Sequence, residues 1–249
     1  MDLCLAKKVF GSMDNTTLNA TDNDASVEAF CRRTLEMNVE GNTVAAVCVY
    51  PCFVATAKHV LEGSGIGVAS VAGAFPHGQL PLKLKVEEVR QAIAEGADEV
   101  DIVISRGLLL AGEDNAVRDE VAAMKEACGS KTLKVILETG ELPSPTLIAK
   151  ASQLAIDGGA DFIKTSTGKI AVGATLEAAE IMLNVINDNL KKTKKIVGFK
   201  AAGGIRKPEE ALAYAEMARK ICGEEYINKQ TFRIGASSLT EAMYSLLTF

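Results

Sequence analysis

Apolar positions along this chain alternate between two patterns. The first is a short unbroken run of small and β-branched residues, as in TVAAVCVY from Thr43 to Tyr50, closed by Pro51, and GVASVAGAFP from Gly67 to Pro76. Such continuous apolarity predicts a strand covered on both faces, which is how parallel sheets are buried. The second pattern has helical spacing. From about Ser26 to Met37, Val27, Phe30, Cys31, Thr34 and Leu35 share one face, with Asp24 or Ser26 as cap and Gly41–Asn42 as terminator.

The two patterns then repeat in order. Predicted helices over Val54–Glu62, Lys85–Glu95, Asn115–Cys128, Pro145–Asp157, Leu176–Leu190 and Pro208–Ile221 separate further strands at Glu99–Ser105, Leu133–Gly140, Asp161–Thr167, Ile196–Gly204 and Phe232–Ser238. Leu5–Phe10 is a short helix or an edge, and Met13–Asn19 a weak first strand or an ordinary turn, with Asp14, Thr16 and Asn19 as its polar groups. Eight strand-then-helix units, each near the length of a βαβ repeat, predict an α/β fold, a (β/α)8 TIM barrel. A doubly wound open sheet is the alternative. The 249 residues fit one such barrel without remainder, so residues 1–249 are read as a single catalytic domain.

Alternation along the strands adds information that their apolarity does not. In the fourth strand Asp101 shares a face with Glu99 and Val103, opposite Val100, Ile102 and Ile104; in the fifth, Lys134 and Glu138 oppose Leu133, Val135 and Leu137. In the seventh, Lys200 lies with Gly198 and Ala202, opposite Val197 and Phe199. Apolar faces meet the helices, so the charges point into the barrel. Lys134 and Glu138 fit a buried salt bridge. Lys164 and Lys200, on consecutive strands, exceed what one aspartate can neutralise.

Lys164 sits in DFIKTSTGK (Asp161–Lys169), where an apolar strand ends on a lysine. An ordinary lysine has a pKa of ~10.4, so only about one in a few thousand is a free amine at neutral pH. A second ammonium and desolvation lower that value, making one lysine a nucleophile and the other its electrostatic tuner. The nucleophile forms a Schiff base with an aldehyde or ketone, and Asp101 is placed to shuttle protons. Three glycine- and serine-rich loops end the last three strands: TSTGK, AAGGIR and RIGASS. Backbone N–H groups of Gly203, Gly204 and Gly235 with the hydroxyls of Ser237 and Ser238 suit a phosphate. A Walker A loop is excluded, because Ile163 and Ile170 occupy positions that need Gly and Ser or Thr. Gly63, Gly65 and Gly67 precede a strand, so they are a loop and not a nucleotide fingerprint.

Composition narrows the classes. Hydrophobic residues are 48%, yet aromatics are 5% and Trp is absent, so Ala, Val, Ile and Leu build the core, which favours α/β over a β-sandwich. A formal charge of -5 argues against a nucleic-acid surface. Lys191, Lys192, Lys194 and Lys195 are the one basic run, read as a solvated helix end. Six scattered cysteines (Cys4, Cys31, Cys48, Cys52, Cys128, Cys222) without a C-x-x-C pair suit a reducing cytoplasm. No signal peptide or membrane span is evident. His59 and His77 are the only histidines and lack paired ligand spacing, so no metal is expected.

MDNTTLN (Met13–Asn19), AAVCVYP (Ala45–Pro51), VDIVI around Asp101, KVILETGEL around Glu138, DFIKTSTGK, VGFKAAGGIR and RIGASS together resemble the deoxyribose-phosphate aldolase family of class I aldolases, in consistent order from about Phe10 to Ser238. The resemblance implies Lys164 as Schiff-base lysine, Lys200 as second lysine and Asp101 as proton shuttle. It implies phosphate contacts from Gly168, Lys169, Gly203, Gly204, Gly235, Ser237 and Ser238. Asp14, Thr16, Asn19, Thr165 and Cys48 are further candidate substrate contacts, Cys48 being equally a small core residue. The implied reaction is cofactor-free, reversible cleavage of 2-deoxy-D-ribose 5-phosphate to acetaldehyde and D-glyceraldehyde 3-phosphate. Its implied setting is a cytoplasmic homodimer, with phosphorylated sugars and small aldehydes as substrates and no nucleic-acid or membrane partner. Some members of that family carry a longer C-terminal tail ending in Tyr, whereas this sequence stops at Phe249. Two other readings remain: another lysine-dependent aldolase or transaldolase on a different sugar phosphate, and a non-catalytic sugar-phosphate binding protein.

Overall fold

Eight parallel strands hydrogen-bond in chain order, and the last returns to the first. They are β1 (Met13–Thr16), β2 (Ala46–Val49), β3 (Gly67–Ala72), β4 (Glu99–Val103), β5 (Thr132–Ile136), β6 (Phe162–Lys164), β7 (Gly198–Ala202) and β8 (Phe232–Ala236). Met13, Asp14 and Asn15 pair with Ile234, Gly235 and Ala236, which closes the barrel and excludes the open sheet. This computed structural model describes residues 2–248, so the expected chain end at Phe249 lies outside the described residues.

The helices form the outer ring: α1 (Leu3–Phe10), α2 (Asp24–Glu36), α3 (Val54–Val60), α4 (Leu82–Ala94), α5 (Arg106–Leu110), α6 (Asp114–Cys128), α7 (Pro145–Asp157), α8 (Leu176–Thr193), α9 (Pro208–Cys222) and α10 (Ser238–Thr248). The predicted face of α2 is broadly right, with Val27, Cys31 and Thr34 buried, but Leu35 is exposed. Its cap is Asn23, whose side chain accepts the Ser26 N–H while the Ser26 hydroxyl accepts the Asn23 N–H. The short α5 was not anticipated, because RGLLL offers one turn and no periodicity to read.

Several strands are shorter than their apolar runs. From Thr43 to Tyr50 only Ala46–Val49 joins the ladder, although Val44 and Ala45 are also buried. Burial, which continues beyond the ladder, sets the apolarity of the run.

The two faces of the sheet divide as alternation predicts. Val100, Ile102 and Ile104, with Leu133, Val135, Leu137, Val197 and Phe199, pack in the layer between strands and helices. The inward face has two unlike halves. Ala46, Cys48, Ala69 and Val71 fill the β2–β3 side with small apolar groups, and the other side is ionic. Gly198 opens space for a wider neighbour there, since a Cβ at that position would lie 2.3 Å from the Phe162 ring. Arg233 rests over that ring, 5.6 Å from its centroid.

Gly198→Ala is therefore expected to destabilise the barrel by about 1–3 kcal/mol through overpacking. A lowered midpoint in urea unfolding checks this, and an unchanged midpoint would contradict it.

Candidate active site

Parallel pairing places the inward charges side by side: Asp101 is level with Lys134, Lys164 with Lys200, and Lys200 with Arg233. One Asp101 oxygen accepts Lys134 at 2.9 Å, and the other accepts both Lys164 at 2.8 Å and Lys200 at 2.7 Å. Lys200 also donates to Asp14 at 2.5 Å. Arg233 bridges Asp14 at 2.5 Å and Glu99 at 2.6 Å, and Lys134 reaches Glu99 at 2.5 Å. Lys134 therefore has its structural pairing, but with Asp101 and Glu99. Glu138 lies beyond the end of β5 and pairs with Arg106 instead.

Three carboxylates thus face four basic groups, all buried. If all seven were ionised the cluster would hold one uncompensated positive charge, a costly state away from water. The cation with the fewest counter-charges is the one to lose its proton. Lys134, Lys200 and Arg233 each contact two or more carboxylates, whereas Lys164 has a share of one Asp101 oxygen.

The shifts follow this inventory. Burial first, and the Lys200 charge with it, hold the Lys164 amine below the ordinary lysine value against the pull of Asp101. Burial acts the same way on Lys200, but Asp101 and Asp14 together outweigh it and hold that ammonium above its ordinary value. For Asp101 and Asp14 burial favours the neutral acid, and the surrounding cations outweigh it, so both stay far below the usual carboxylate range. Asp101 keeps Lys134 and Lys200 as partners even when Lys164 is neutral.

Lys164 is also where this cluster opens. A cavity of about 270 Å³ lies at the C-terminal ends of β1, β6, β7 and β8, with Lys164 in its lining. Thr16, Leu18 and Asn19 line it from the loop after β1, and Thr167, Gly168 and Lys169 from the loop after β6. Gly203 to Arg206, Gly235, Ser237 and Ser238 complete the wall. Gly168, Gly203 and Gly204 have φ of 76°, 90° and 82°, which side-chain-bearing residues rarely adopt. A Cβ on Gly203 would come within 3.2 Å of the Cα atoms of Gly168 and Gly173, so these two loops meet backbone to backbone. Gly235 leaves space for Lys200, whose Cε would be 2.8 Å from a Cβ there.

Helix α10 begins at Ser238, on the wall, and its first-turn N–H groups suit an anion. The helix is held by a two-pronged pair between Arg33 and Glu241, at 2.8 and 2.9 Å. The Lys169 ammonium donates to the Leu18 carbonyl, joining the first and sixth loops. A larger hollow of about 700 Å³, around Lys58, Gly63 and Asp98, opens at the other end of the barrel and contains none of the expected residues.

Three candidate contacts fall outside this lining. Asp14 is fully buried with both oxygens engaged by Lys200 and Arg233. Cys48 packs inside the barrel among Ala46, Ala69 and Val71, and burial raises its thiol to about 11, so it is no thiolate at neutral pH. The Thr165 hydroxyl is tied to the Ala202 backbone, donating to its carbonyl and accepting its N–H, both at 3.0 Å. Conversely, Leu18, Thr167, Ile205 and Arg206 line the cavity unanticipated. They sit beside recognised motifs, where only the loop path decides what faces inward. Glu99 and Arg233 were also missed as parts of the ionic cluster, although Glu99 shares the Asp101 face.

A (β/α)8 barrel with a lysine short of counter-charge beneath an anion-suited rim suits a lysine-dependent enzyme acting on an anionic substrate. The profile of the DeoC/LacD family aldolases matches residues 8–242. The deoxyribose-phosphate aldolase of Mus musculus is 46% identical over 240 residues, spanning 91% of this chain and 76% of that protein, and its Homo sapiens counterpart is 44% identical with the same coverage. The tetrameric deoxyribose phosphate aldolase of Aeropyrum pernix superposes with a TM-score of 0.75 at 25% identity, over 98% of this chain and 92% of that one. This chain belongs to the DeoC/LacD aldolase family and is an aldolase.

Asp14→Asn should expose the role of the buried cluster. Removing one carboxylate leaves Lys200 and Arg233 short of counter-charge, at an expected cost of about 3–5 kcal/mol near neutrality. Since the folded-state pKa of Asp14 is depressed, its contribution is present above the unfolded carboxylate pKa and fades as pH falls towards the folded value. The difference between wild type and variant should therefore shrink on acidification in pH-dependent urea titrations. A difference constant down to strongly acid pH would contradict this.

Proposed function

We propose that this chain reversibly cleaves 2-deoxy-D-ribose 5-phosphate to acetaldehyde and D-glyceraldehyde 3-phosphate through a Schiff base on Lys164. The observation carrying the reading is that, of the four basic groups in the buried cluster, Lys164 alone combines a minimal share of counter-charge with a place on the cavity wall. Its neutral amine adds to the C1 aldehyde of the open-chain sugar, and loss of water leaves an iminium. Removal of the C3 hydroxyl proton turns that hydroxyl into a carbonyl as the C2–C3 bond breaks. The bonding pair moves to the iminium and forms the enamine of acetaldehyde, while glyceraldehyde 3-phosphate departs. Protonation at C2 and addition of water then release acetaldehyde and return the amine.

Asp101 and Lys200 supply the proton traffic, directly or through a water. The ammonium of Lys200 is a standing donor and Asp101 a standing acceptor, joined at 2.7 Å. Gly168, Lys169, Gly203, Gly204, Gly235, Ser237 and Ser238 hold the phosphate, and Thr16 and Asn19 face the rest of the sugar. No cofactor enters the scheme. The chain acts as one catalytic domain.

The six cysteines are free, in keeping with a reducing cytoplasm. Among the described residues, no helix is long and apolar enough to cross a membrane. The assembly proposed is a homodimer, and light scattering after size exclusion would count its subunits.

Borohydride reduction in the presence of acetaldehyde, followed by peptide mapping, should find an ethyl group on Lys164. Lys164→Leu should abolish both adduct and turnover while keeping the fold. Turnover equal to wild type would overturn the mechanism, and phosphate-sugar binding with no adduct and no cleavage would instead mark a binding protein. Lys200→Leu should slow Schiff-base formation. It removes a neighbouring positive charge and leaves Asp101 more fully to Lys164, so the acid limb of kcat/KM should move to higher pH. A limb that stays in place or moves to lower pH would contradict the tuning role.

A further inference from the structure

Glu138 lies two residues beyond β5, fully buried, with φ of 56° in the left-handed region where non-glycine residues are uncommon. Its carboxylate accepts the Thr167 N–H at 3.1 Å and the Thr167 hydroxyl at 2.5 Å. The Thr167 oxygen in turn accepts the Lys169 N–H at 3.0 Å. Arg106 approaches the same carboxylate at 3.5 Å, reaches the carbonyls of Pro76 at 3.2 Å and His77 at 3.3 Å, and pairs with Glu141 at 2.7 Å. One carboxylate and one guanidinium thereby tie together the segments following β3, β4, β5 and β6. Among the described residues, no ion pair or hydrogen bond joins either of them to Lys164, Lys200 or Asp101.

A buried carboxylate must be supplied with donors, and charge-assisted hydrogen bonds are the stronger kind. Arg106 stands at 3.5 Å, and the closer donors to Glu138 are the N–H and hydroxyl of Thr167. The path of the Thr167–Lys169 loop is therefore coupled to the solvation of this carboxylate.

We propose that Glu138, braced by Arg106, is a positioning residue that fixes the Thr167–Lys169 loop on the cavity wall and so sets the preference for a phosphorylated over an unphosphorylated sugar. The proposal rests on the aldolase reading above, in which Gly168 and Lys169 hold the phosphate. Glu138 touches no reacting atom, so its influence reaches the phosphate end and leaves Schiff-base chemistry alone. Gln in its place keeps the volume but has one carbonyl acceptor where the carboxylate has two oxygens, and it turns two donors towards Arg106 and the Thr167 hydroxyl.

The test measures kcat and KM of wild type, Glu138→Gln and Arg106→Lys with 2-deoxyribose 5-phosphate and with 2-deoxyribose, beside the rate of borohydride-trapped acetaldehyde adduct on Lys164. In Glu138→Gln the ratio of kcat/KM for the phosphorylated sugar to that for the neutral sugar should fall about tenfold, as expected for loss of one charge-assisted hydrogen bond. The fall should appear in KM, and the trapping rate should stay at the wild-type value. Arg106→Lys should change the ratio in the same direction, and it decides the matter if Glu138→Gln fails to fold. An unchanged ratio, or a matching loss on both sugars and in trapping, would overturn the positioning role. Wild type with no Lys164 adduct, or with no preference for the phosphate, would instead overturn the aldolase reading beneath it.

Discussion

The sharing of Asp101 among three lysines is the constraint on which the rest of this structure depends. A carboxylate sealed inside the barrel needs cations to remain ionised, and each cation so recruited needs counter-charge of its own. Asp14 and Glu99 provide it for Lys200, Lys134 and Arg233. Lys164 is left at the margin of that balance, and the margin is also the floor of the cavity. In the proposed mechanism nucleophilicity is a property of the whole cluster: the well-satisfied charges keep theirs, and the poorly satisfied one gives up its proton.

This arrangement separates two tasks by depth. The buried charges below Lys164 govern protonation. The loops above it, with backbone amides, serine hydroxyls and the start of α10, suit an anion and contain few groups that could disturb the lysine's charge state. The exceptions are the exposed Lys169, occupied with the Leu18 carbonyl, and the exposed Arg206. The small apolar side of the interior, around Ala46, Cys48 and Ala69, limits water near the cluster and keeps its electrostatics strong.

Much of this was legible in the sequence because a parallel barrel is strongly patterned. Runs such as Val100 to Ile104 declare strands buried on both faces, and a period of two assigns Asp101, Lys134 and Lys200 to the interior without any contact being known. What the pattern could not carry was partner choice. Glu138 follows Lys134 at even spacing and reads as its companion, but β5 stops at Ile136 and the left-handed backbone at Glu138 turns it towards Thr167 and Arg106. Asp14 reads as a polar group near a turn, since a four-residue strand has too few positions to show alternation. Arg233 reads as the lead-in to a phosphate loop, and only closure of β8 against β1 shows that it supports Asp14.

The most direct measurement of the central claim is the pH dependence of the initial rate of borohydride-trapped acetaldehyde adduct formation on Lys164 in the wild-type protein. A neutral amine created by charge imbalance predicts a half-maximal rate below the ordinary lysine pKa of ~10.4, with the adduct mapping to Lys164 alone. A rate still climbing through that ordinary value, or an adduct on Lys200, would contradict the account.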